Sequence, residues 1–199
     1  MNRSGQFEIS SAQINEVREA RLMAKFDHRA NLPKIFRDHG LSILPVTRSK
    51  YVIGPFDTHQ TVKYDSHAEV TPMQLPGGLE TIDYTNLYSE AAALNCAYIA
   101  GILNDVLGED SLYHTVSGRM STDQFSFSIR STDSQHQPAW PITVDNSQCE
   151  IDGGYEGMAR FALIEAKNFA VDDFLVRQLY YPYRLWQRKL SKPVTPILM

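Results

Sequence analysis

The chain of 199 residues contains little cysteine and no long apolar run. Cys96 and Cys149 are too few for a disulfide framework or a four-cysteine zinc site, so we expect free thiols in a reducing cytoplasm. No run approaches the roughly 20 apolar residues that cross a bilayer, so we expect no membrane partner. The N-terminal Met-Asn-Arg-Ser-Gly-Gln also lacks the apolar stretch of a signal peptide. The six histidines show no close ligand spacing, which argues against zinc or haem.

The sequence also lacks the excess of positive charge that is common in nucleic-acid-binding proteins, since its formal net charge is −4. The charge is unevenly distributed, with +4 over residues 1–56, −10 over 57–150 and +2 over 151–199. Local basic patches matter more for nucleic-acid binding than the total charge, so the two basic ends leave this function open. The acidic middle is equally typical of a solvated surface.

The sequence predicts that residues 1–75 form a small N-terminal region of helices and a hairpin. Apolar periodicity predicts a helix over 11–26 and a shorter one over 32–38. Residues 41–46 and 50–53 read as the strands of a basic hairpin. Two helices before such a hairpin are typical of a winged-helix module, but also of a helical cap on the main domain. Both interpretations stay open.

A loop-rich stretch at residues 54–83 predicts a soft domain boundary, which separates residues 1–75 from a main domain at 76–199. The main domain is predicted to contain a helix over 85–107, extended segments at 113–116 and 124–129, a turn at 138–141, strands at 149–152 and 159–166 around a Gly-Gly turn, a helix over 172–190 and a strand over 194–199. This order of a helix, extended segments and strands, a second helix and a final strand indicates an α/β fold, with a mixed sheet flanked by helices. The helix over 85–107 carries no charge between residues 91 and 104, so we expect it to be largely buried. A core strand at the end of the chain suggests a fragment of a longer protein.

The segment from Cys149 to Lys167 carries the residues that indicate chemistry. In a strand over 159–166 the side chains alternate, so Glu165 and Lys167 lie on one face, roughly 7 Å apart along the strand. A turn at Gly153-Gly154 would bring Asp152 back beside Glu165. Two adjacent carboxylates repel each other unless a cation lies between them, and Mg²⁺ is a hard, oxygen-seeking cation. The sequence therefore predicts a magnesium site.

The carbonyl group of Ala166 is a further candidate ligand of this metal. Lys167 would then lie where it can orient or deprotonate a water molecule, or neutralise charge on a phosphate. The alternative is an ordinary salt bridge on a strand, with no catalytic role.

Asp152 followed by Glu165-Ala166-Lys167, inside an apolar strand, resembles the motif of the PD-(D/E)XK nucleases, with Ile151 in place of the leading proline. Residues 25–57 and 177–186 are also similar to proteins described as probable type II restriction endonucleases. The resemblance implies a restriction-endonuclease-like core and magnesium-dependent hydrolysis of double-stranded DNA. It further implies a possible homodimer and a partner DNA methyltransferase in the same restriction-modification system.

The same resemblance implies roles for two residues outside the motif. The family places a carboxylate near the metal on the preceding helix, where Glu90 lies, and a Gln or basic residue on the following helix, where Gln178 lies. Both residues also have simpler explanations. A carboxylate at a helix start interacts favourably with the helix dipole, and Gln178 could form only surface or capping hydrogen bonds.

Basic residues at both ends of the chain are candidates for DNA binding. Arg and Lys can contact phosphates and make affinity sensitive to salt. The alternative for the C-terminal ones is an amphipathic helix with solvated cations. A repair or RNA nuclease of the same fold and a non-catalytic DNA-binding protein also remain open as functions. The candidate DNA-binding residues are Arg48, Lys50, Arg177, Arg184 and Arg188.

Overall fold

The computed structural model describes residues 6–133 and 138–199. Its α-helices are α1 (Ser11–Asn15), α2 (Ala20–Met23), α3 (Lys34–Asp38), α4 (Glu90–Ile99), α5 (Ile102–Leu107) and α6 (Arg177–Trp186). Its strands are β1 (Phe7–Ser10), β2 (Ser42–Pro45), β3 (Lys50–Gly54), β4 (His59–Thr61), β5 (Tyr113–Ser121), β6 (Phe125–Arg130), β7 (Ala139–Val144), β8 (Gln148–Glu156), β9 (Phe161–Glu165), β10 (Asp173–Leu175) and β11 (Val194–Leu198).

These elements confirm the predicted mixed α/β class, with several sheets and few, short helices. The chain divides into two compact units. The first comprises the described residues of 1–62, 120–149 and 173–177, and the second comprises 63–119, 150–172 and 178–199. In the part of the chain that the structure describes, no helix is long and apolar enough to cross a membrane.

The first unit contains an antiparallel sheet in the order β1-β3-β2. The predicted hairpin is confirmed, because β2 pairs with β3 and Leu44 lies opposite Val52. Strand β1 was not predicted, and it pairs with the other edge of β3. Ile43 and Tyr51 pack with Ile14 of α1 into the core of this unit.

The prediction of a single helix over 11–26 is wrong, since α1 ends at Asn15 and α2 begins at Ala20. The Asn15 side chain accepts a hydrogen bond from the Ala20 amide at 2.8 Å, so it competes with continuation of the helix. Val17, which lies between the two helices, is 91% exposed. The second predicted helix forms as α3, and Pro33 is its N-cap.

Residues 138–141 do not form the predicted turn, because β7 begins at Ala139 and pairs with β6. Trp140, Ile142 and Val144 alternate into the core, and this alternation outweighs the turn preference of the flanking prolines. Pro141 is exposed in this two-stranded sheet, where its missing amide leaves no central ladder incomplete.

Strand β10 replaces the start of the helix predicted over 172–190. Asp173 pairs with Thr61 of β4, and its carboxylate accepts the Arg29 amide at 3.2 Å. Asp173 is therefore held by the first unit and does not cap α6. The helix begins at Arg177 and ends at Trp186, within the predicted range, and it contains Pro182.

The second unit contains a four-stranded mixed sheet in the order β11-β9-β8-β5. Strand β11 runs parallel to β9, whereas β8 runs antiparallel to it. The β9 residues Ala162 and Ile164 pack with Leu94 of α4 and Leu103 of α5 in one apolar core. The predicted final strand over 194–199 is confirmed as β11.

The predicted helix over 85–107 is in fact two helices. It begins after Ser89, whose hydroxyl oxygen accepts the Ala92 amide, and it breaks at Gly101, where φ is 78°. Among residues 91–104 the buried ones are Leu94, Ala97 and Leu103, whereas Ile99 remains 38% exposed. The prediction of a largely buried segment is therefore wrong, because an uncharged helix needs to bury only the face that contacts the sheet.

The Gly-Gly pair does not form a turn but lies inside β8, where Gly153 is opposite Ile164 and Gly154 is opposite Leu163. Packing explains these glycines. A Cβ atom on Gly153 would lie 2.6 Å from the Tyr155 ring and 2.9 Å from Leu94. The strand reverses direction later, between Glu156 and Phe161.

We therefore expect Gly153→Ala to lower the free energy of unfolding by about 1–3 kcal/mol, as overpacked cores do. Gly77→Ala is the matched control, since no atom lies within 4 Å of its added Cβ. Urea unfolding followed by circular dichroism measures both variants. Equal stability of the two would show that β8 does not approach α4 as closely as described.

Candidate active site

Glu165 and Lys167 contact each other directly, as the strand alternation predicts. Lys167 Nζ lies 2.7 Å from Glu165 Oε1, and each side chain is less than one tenth exposed. Strand β9 ends at Glu165. Backbone pairing with the β11 segment nevertheless continues to Lys167, whose amide donates to the carbonyl group of Met199 at 2.7 Å. The last residues of the chain therefore help to fix the backbone of both groups.

Asp152 lies beside this pair, although not for the predicted reason. The β8–β9 register pairs Gly153 with Ile164, so the preceding Asp152 comes opposite Glu165. Its Oδ2 atom accepts a hydrogen bond from the Ala166 amide at 2.8 Å. Strand pairing, and not a Gly-Gly turn, brings the two carboxylates to one place.

Ala166 is fixed from two sides. Its side chain is completely buried in the core of the second unit, and its amide is bound to Asp152. That the carbonyl group of Ala166 binds the metal stays a prediction.

Gln178, in the first turn of α6, donates from Nε2 to Glu165 Oε1 at 2.6 Å. Glu165 Oε1 therefore accepts hydrogen bonds from both Lys167 and Gln178. The other amide atom, Gln178 Oε1, is buried and has no hydrogen-bond partner among the described residues. A buried acceptor without a donor is uncommon and favours binding of a water molecule or a ligand group at this point.

Glu90 lies at the first position of α4, where Oε1 is 3.5 Å from Lys167 Nζ. Its side chain is 41% exposed, in contrast to that of Lys167. The structure thus places Glu90 as a second, more solvated partner of Lys167. Its role as a metal ligand stays a prediction.

The electrostatic state of Glu165 follows from this geometry. Burial raises the pKa of Glu165 from 4.5 to about 7, since a charged carboxylate loses hydration there. The hydrogen bond and the positive charge of Lys167 oppose this increase, whereas the negative charges of Asp152 and Glu90 add to it. The carboxylate of Glu165 is therefore under-compensated by the protein groups around it, and a further cation would stabilise it.

A magnesium ion would find oxygen ligands here but no complete protein cage. Among residues 6–133 and 138–199, no three His, Cys, Asp or Glu side chains form a ready metal-binding group. Mg²⁺, however, commonly takes one or two carboxylates and keeps several waters. In the described contacts, Asp152 Oδ1 and Glu165 Oε2 accept no hydrogen bond. This donor set fits Mg²⁺.

The predicted DNA-binding residues of the first unit already contact protein groups. Arg48 donates to Ser121 Oγ, and Lys50 pairs with Glu8 at 2.8 Å, in exposed positions where such contacts exchange easily with solvent. Arg177 donates to the carbonyl group of Ala24 at 3.2 Å, so it contributes to the structure of this unit.

The predicted DNA-binding residues of the second unit lie on and just beyond α6. Arg184 donates to Tyr180 Oη at 2.8 Å and lies over the same ring, 5.7 Å from its centre. Arg188 follows the end of the helix at Trp186. DNA binding by all five predicted basic residues stays a prediction.

No sequence pattern marks Glu109, a buried carboxylate. It binds backbone amides of Met158, Ala159 and Arg160, which lie about fifty residues later in the chain. Contacts to backbone amides require no particular side chain at the partner positions. The acidic pair Glu109-Asp110 after Gly108 therefore looks like an ordinary exposed loop in the sequence.

Comparison with family models divides the chain after residue 53. Residues 54–199 match the model described as "Domain of unknown function (DUF6997)", and the chain belongs to this family. Residues 1–53 match "Domain of unknown function (DUF6996)". No curated protein and no solved structure matches the chain. The predicted division into residues 1–75 and 76–199 stays a prediction.

Proposed function

We propose that this protein is a magnesium-dependent endonuclease that hydrolyses phosphodiester bonds of double-stranded DNA. The observation that carries the proposal is the contact between Lys167 and Glu165, with Asp152 beside them on the neighbouring strand. Buried groups of this kind are costly to maintain without a function, because each charge loses its hydration. Strongly shifted pKa values, such as that of Glu165, are also more common at functional sites.

The topology of the second unit supports the same proposal. Its elements follow the order of helices α4 and α5, strands β5, β8 and β9, helix α6 and strand β11. The predicted core likewise has a helix, strands with the Glu-Ala-Lys motif at the end of the last one, a helix and a final strand, although the predicted strand over 124–129 forms β6 in the first unit. Helices precede and follow the motif strands, and they carry Glu90 and Gln178 at the site.

Asp152 and Glu165 are the residues that would hold Mg²⁺, each through the carboxylate oxygen that accepts no described hydrogen bond. Bound Mg²⁺ supplies Lewis acidity, which favours deprotonation of water and stabilises negative charge on phosphate oxygens. The contribution of Glu165 requires its charged form. Because burial raises its pKa to about 7, metal binding should weaken as the pH falls below 7.

Lys167 is proposed as the residue that positions a water molecule or stabilises charge on the phosphate. Its ammonium group is held by Glu165 and Glu90, so its direction is fixed before a substrate binds. Gln178 is proposed to orient the attacking water, because its buried Oε1 can accept one hydrogen bond while Nε2 stays on Glu165.

The class of substrate rests on the resemblance to type II restriction endonucleases. In this proposal the protein cuts at a fixed DNA sequence, a homodimer would match a palindromic site, and a DNA methyltransferase would protect the host sequence. The exposed Arg48 and Lys50 and the basic residues of α6 are the proposed phosphate contacts.

Asp152→Asn should weaken Mg²⁺ binding by about 10-fold or more, because a neutral amide is a poorer ligand than a carboxylate. Isothermal titration of Mg²⁺ into the protein at pH 8 measures this change. Glu150→Gln is the matched control, since it removes one carboxylate from the same strand at an exposed position paired with Arg119. Unchanged Mg²⁺ affinity of Asp152→Asn would remove Asp152 from the site.

A further inference from the structure

The connection between β8 and β9 determines which residues of the two strands face each other. Glu156 pairs with Phe161, so residues 157–160 form the connection, and the Gly157 amide donates to the Arg160 carbonyl group at 2.9 Å. Asp152 lies five positions before Gly157 and Glu165 five positions after Arg160. The register of this connection therefore places the two carboxylates opposite each other.

The sequence of this connection does not by itself specify a tight turn. Favoured two-residue hairpin turns need positive φ angles and usually contain Asn-Gly or a similar pair. The central residues here are Met158 and Ala159, and neither has a positive φ. A hairpin whose turn is weakly specified is prone to slip in register.

Glu109 supplies hydrogen bonds that hold this turn in place. Its carboxylate accepts hydrogen bonds, each 3.0 Å long, from the amides of Met158, Ala159 and Arg160. The Arg160 amide, which could close the turn on Gly157, is thus bound by Glu109. Successive amides of this kind form a concave anion-binding site, and Glu109 occupies it from within the same unit.

Two further contacts keep Glu109 and the turn together. The Glu109 amide and carbonyl group are both bound to Asn104, at 3.0 and 3.1 Å, so the residue is fixed at the end of α5. On the other side of the turn, Lys192 donates to the Gly157 carbonyl group at 2.8 Å. A Cβ atom on Gly157 would lie 2.4 Å from Glu109 Cδ, so glycine is required for this approach.

A slip of β9 by one residue relative to β8 would disrupt the candidate site. Side chains alternate along a strand, so such a slip turns every side chain to the opposite face. Glu165 would then leave Asp152, and Ala166 would lose its hydrogen bond to the Asp152 carboxylate. The register is thus the condition for having two carboxylates at one point.

We infer that Glu109 is a positioning residue of the candidate site, which fixes the β8–β9 register and so places Asp152 opposite Glu165. This inference rests on the proposed function for its consequence, namely metal binding. The register itself can be tested without a metal, because the Ala166 amide is protected by Asp152 only in the observed pairing.

The test compares Glu109→Gln with the wild type below the melting temperature of both. Gln keeps one acceptor oxygen for the amides of Ala159 and Arg160, but its NH2 group then faces the Met158 amide and its negative charge is lost, so Glu109→Gln breaks one of the three contacts and weakens the other two. We expect exchange of the Ala166 amide with solvent deuterium, followed by NMR, to become about 10-fold faster or more. The Kd for Mg²⁺ should increase by about 10-fold or more. Asp110→Asn, which removes the charge of the exposed neighbouring residue, should change neither quantity.

A rescue variant separates positioning from general stability. Met158→Asn with Ala159→Gly introduces a tight turn that closes Gly157 on Arg160 in the same register. Added to Glu109→Gln, it should restore both Ala166 protection and Mg²⁺ affinity, and it should restore folding if Glu109→Gln alone does not fold. Failure of this rescue would overturn the inference.

The remaining outcomes distinguish the inference from the proposed function. A lower melting temperature in Glu109→Gln with unchanged Ala166 exchange would show a merely structural carboxylate and overturn the inference. Faster Ala166 exchange that the rescue variant reverses, in a wild-type protein that binds no Mg²⁺, would confirm the positioning role. It would at the same time contradict the proposed metal-dependent function.

Discussion

Lys167→Met is expected to reduce DNA cleavage by about 100-fold or more, in the range that loss of a catalytic acid or base produces. Met keeps most of the length of the lysine side chain but removes the ammonium group that Glu165 and Glu90 hold. In our proposal this group acts on the water or the phosphate, and it does not hold the metal. Mg²⁺ affinity and DNA binding should therefore change much less than the cleavage rate.

Single-turnover cleavage of a DNA fragment measures the rate, and a gel-shift assay at the same salt concentration measures binding. Lys34→Met is the matched control, because this lysine is 79% exposed and pairs with the nearby Asp38. It should cut at the wild-type rate. Loss of folding in Lys167→Met would identify a structural lysine, and wild-type cleavage would contradict its catalytic role.

Glu165→Gln is expected to abolish cleavage and, at the same time, to stabilise the fold at alkaline pH. The folded protein holds the pKa of Glu165 at about 7, above the ordinary value of 4.5. Such a group favours folding when it is protonated, below pH 4.5, and this contribution is lost as the pH rises through 7. Between pH 5 and pH 8 the wild type should therefore lose about 2–3 kcal/mol that the glutamine variant retains.

Urea unfolding at pH 5 and pH 8 measures this difference in the free energy of unfolding. The comparison between two pH values removes the constant effect of losing the partner of Lys167. Glu80→Gln, at an exposed position, should follow the pH dependence of the wild type. A Glu165→Gln curve parallel to that of the wild type would show that Glu165 titrates normally and that burial does not destabilise its charge.

The pairing of Glu165 with Lys167 was predictable because alternation in a strand is a local rule. To apply this rule, one needs only to recognise the segment as a strand, and the apolar run from Phe161 to Ile164 indicates a strand. The nearness of Asp152 was predicted correctly but from a turn at Gly153-Gly154 that does not exist. A Cβ atom would lie against Leu94 and Tyr155 at Gly153, and against Phe161 and Val116 at Gly154. Only packing reveals such a reason.

The ends of the helices were harder to predict, because local caps decide them. Asn15 and Gly101 each interrupt a continuous apolar pattern, the first by its side chain and the second by a positive φ. Glu109 could not be predicted at all, since its partners are backbone amides distant in the sequence. Features that depend on long-range backbone contacts leave no periodic signal.

The cleavage of plasmid DNA tests the central claim most directly. The protein is incubated with plasmid in the presence of Mg²⁺ or of EDTA, beside Glu165→Ala under the same conditions. We predict discrete bands that require both Mg²⁺ and Glu165, and their sizes would begin to locate the target sequence. Mg²⁺-dependent cutting at no fixed sequence would contradict the restriction function and favour another nuclease of the same fold. DNA binding without cutting under any divalent cation would contradict the enzyme itself and favour a non-catalytic DNA-binding protein.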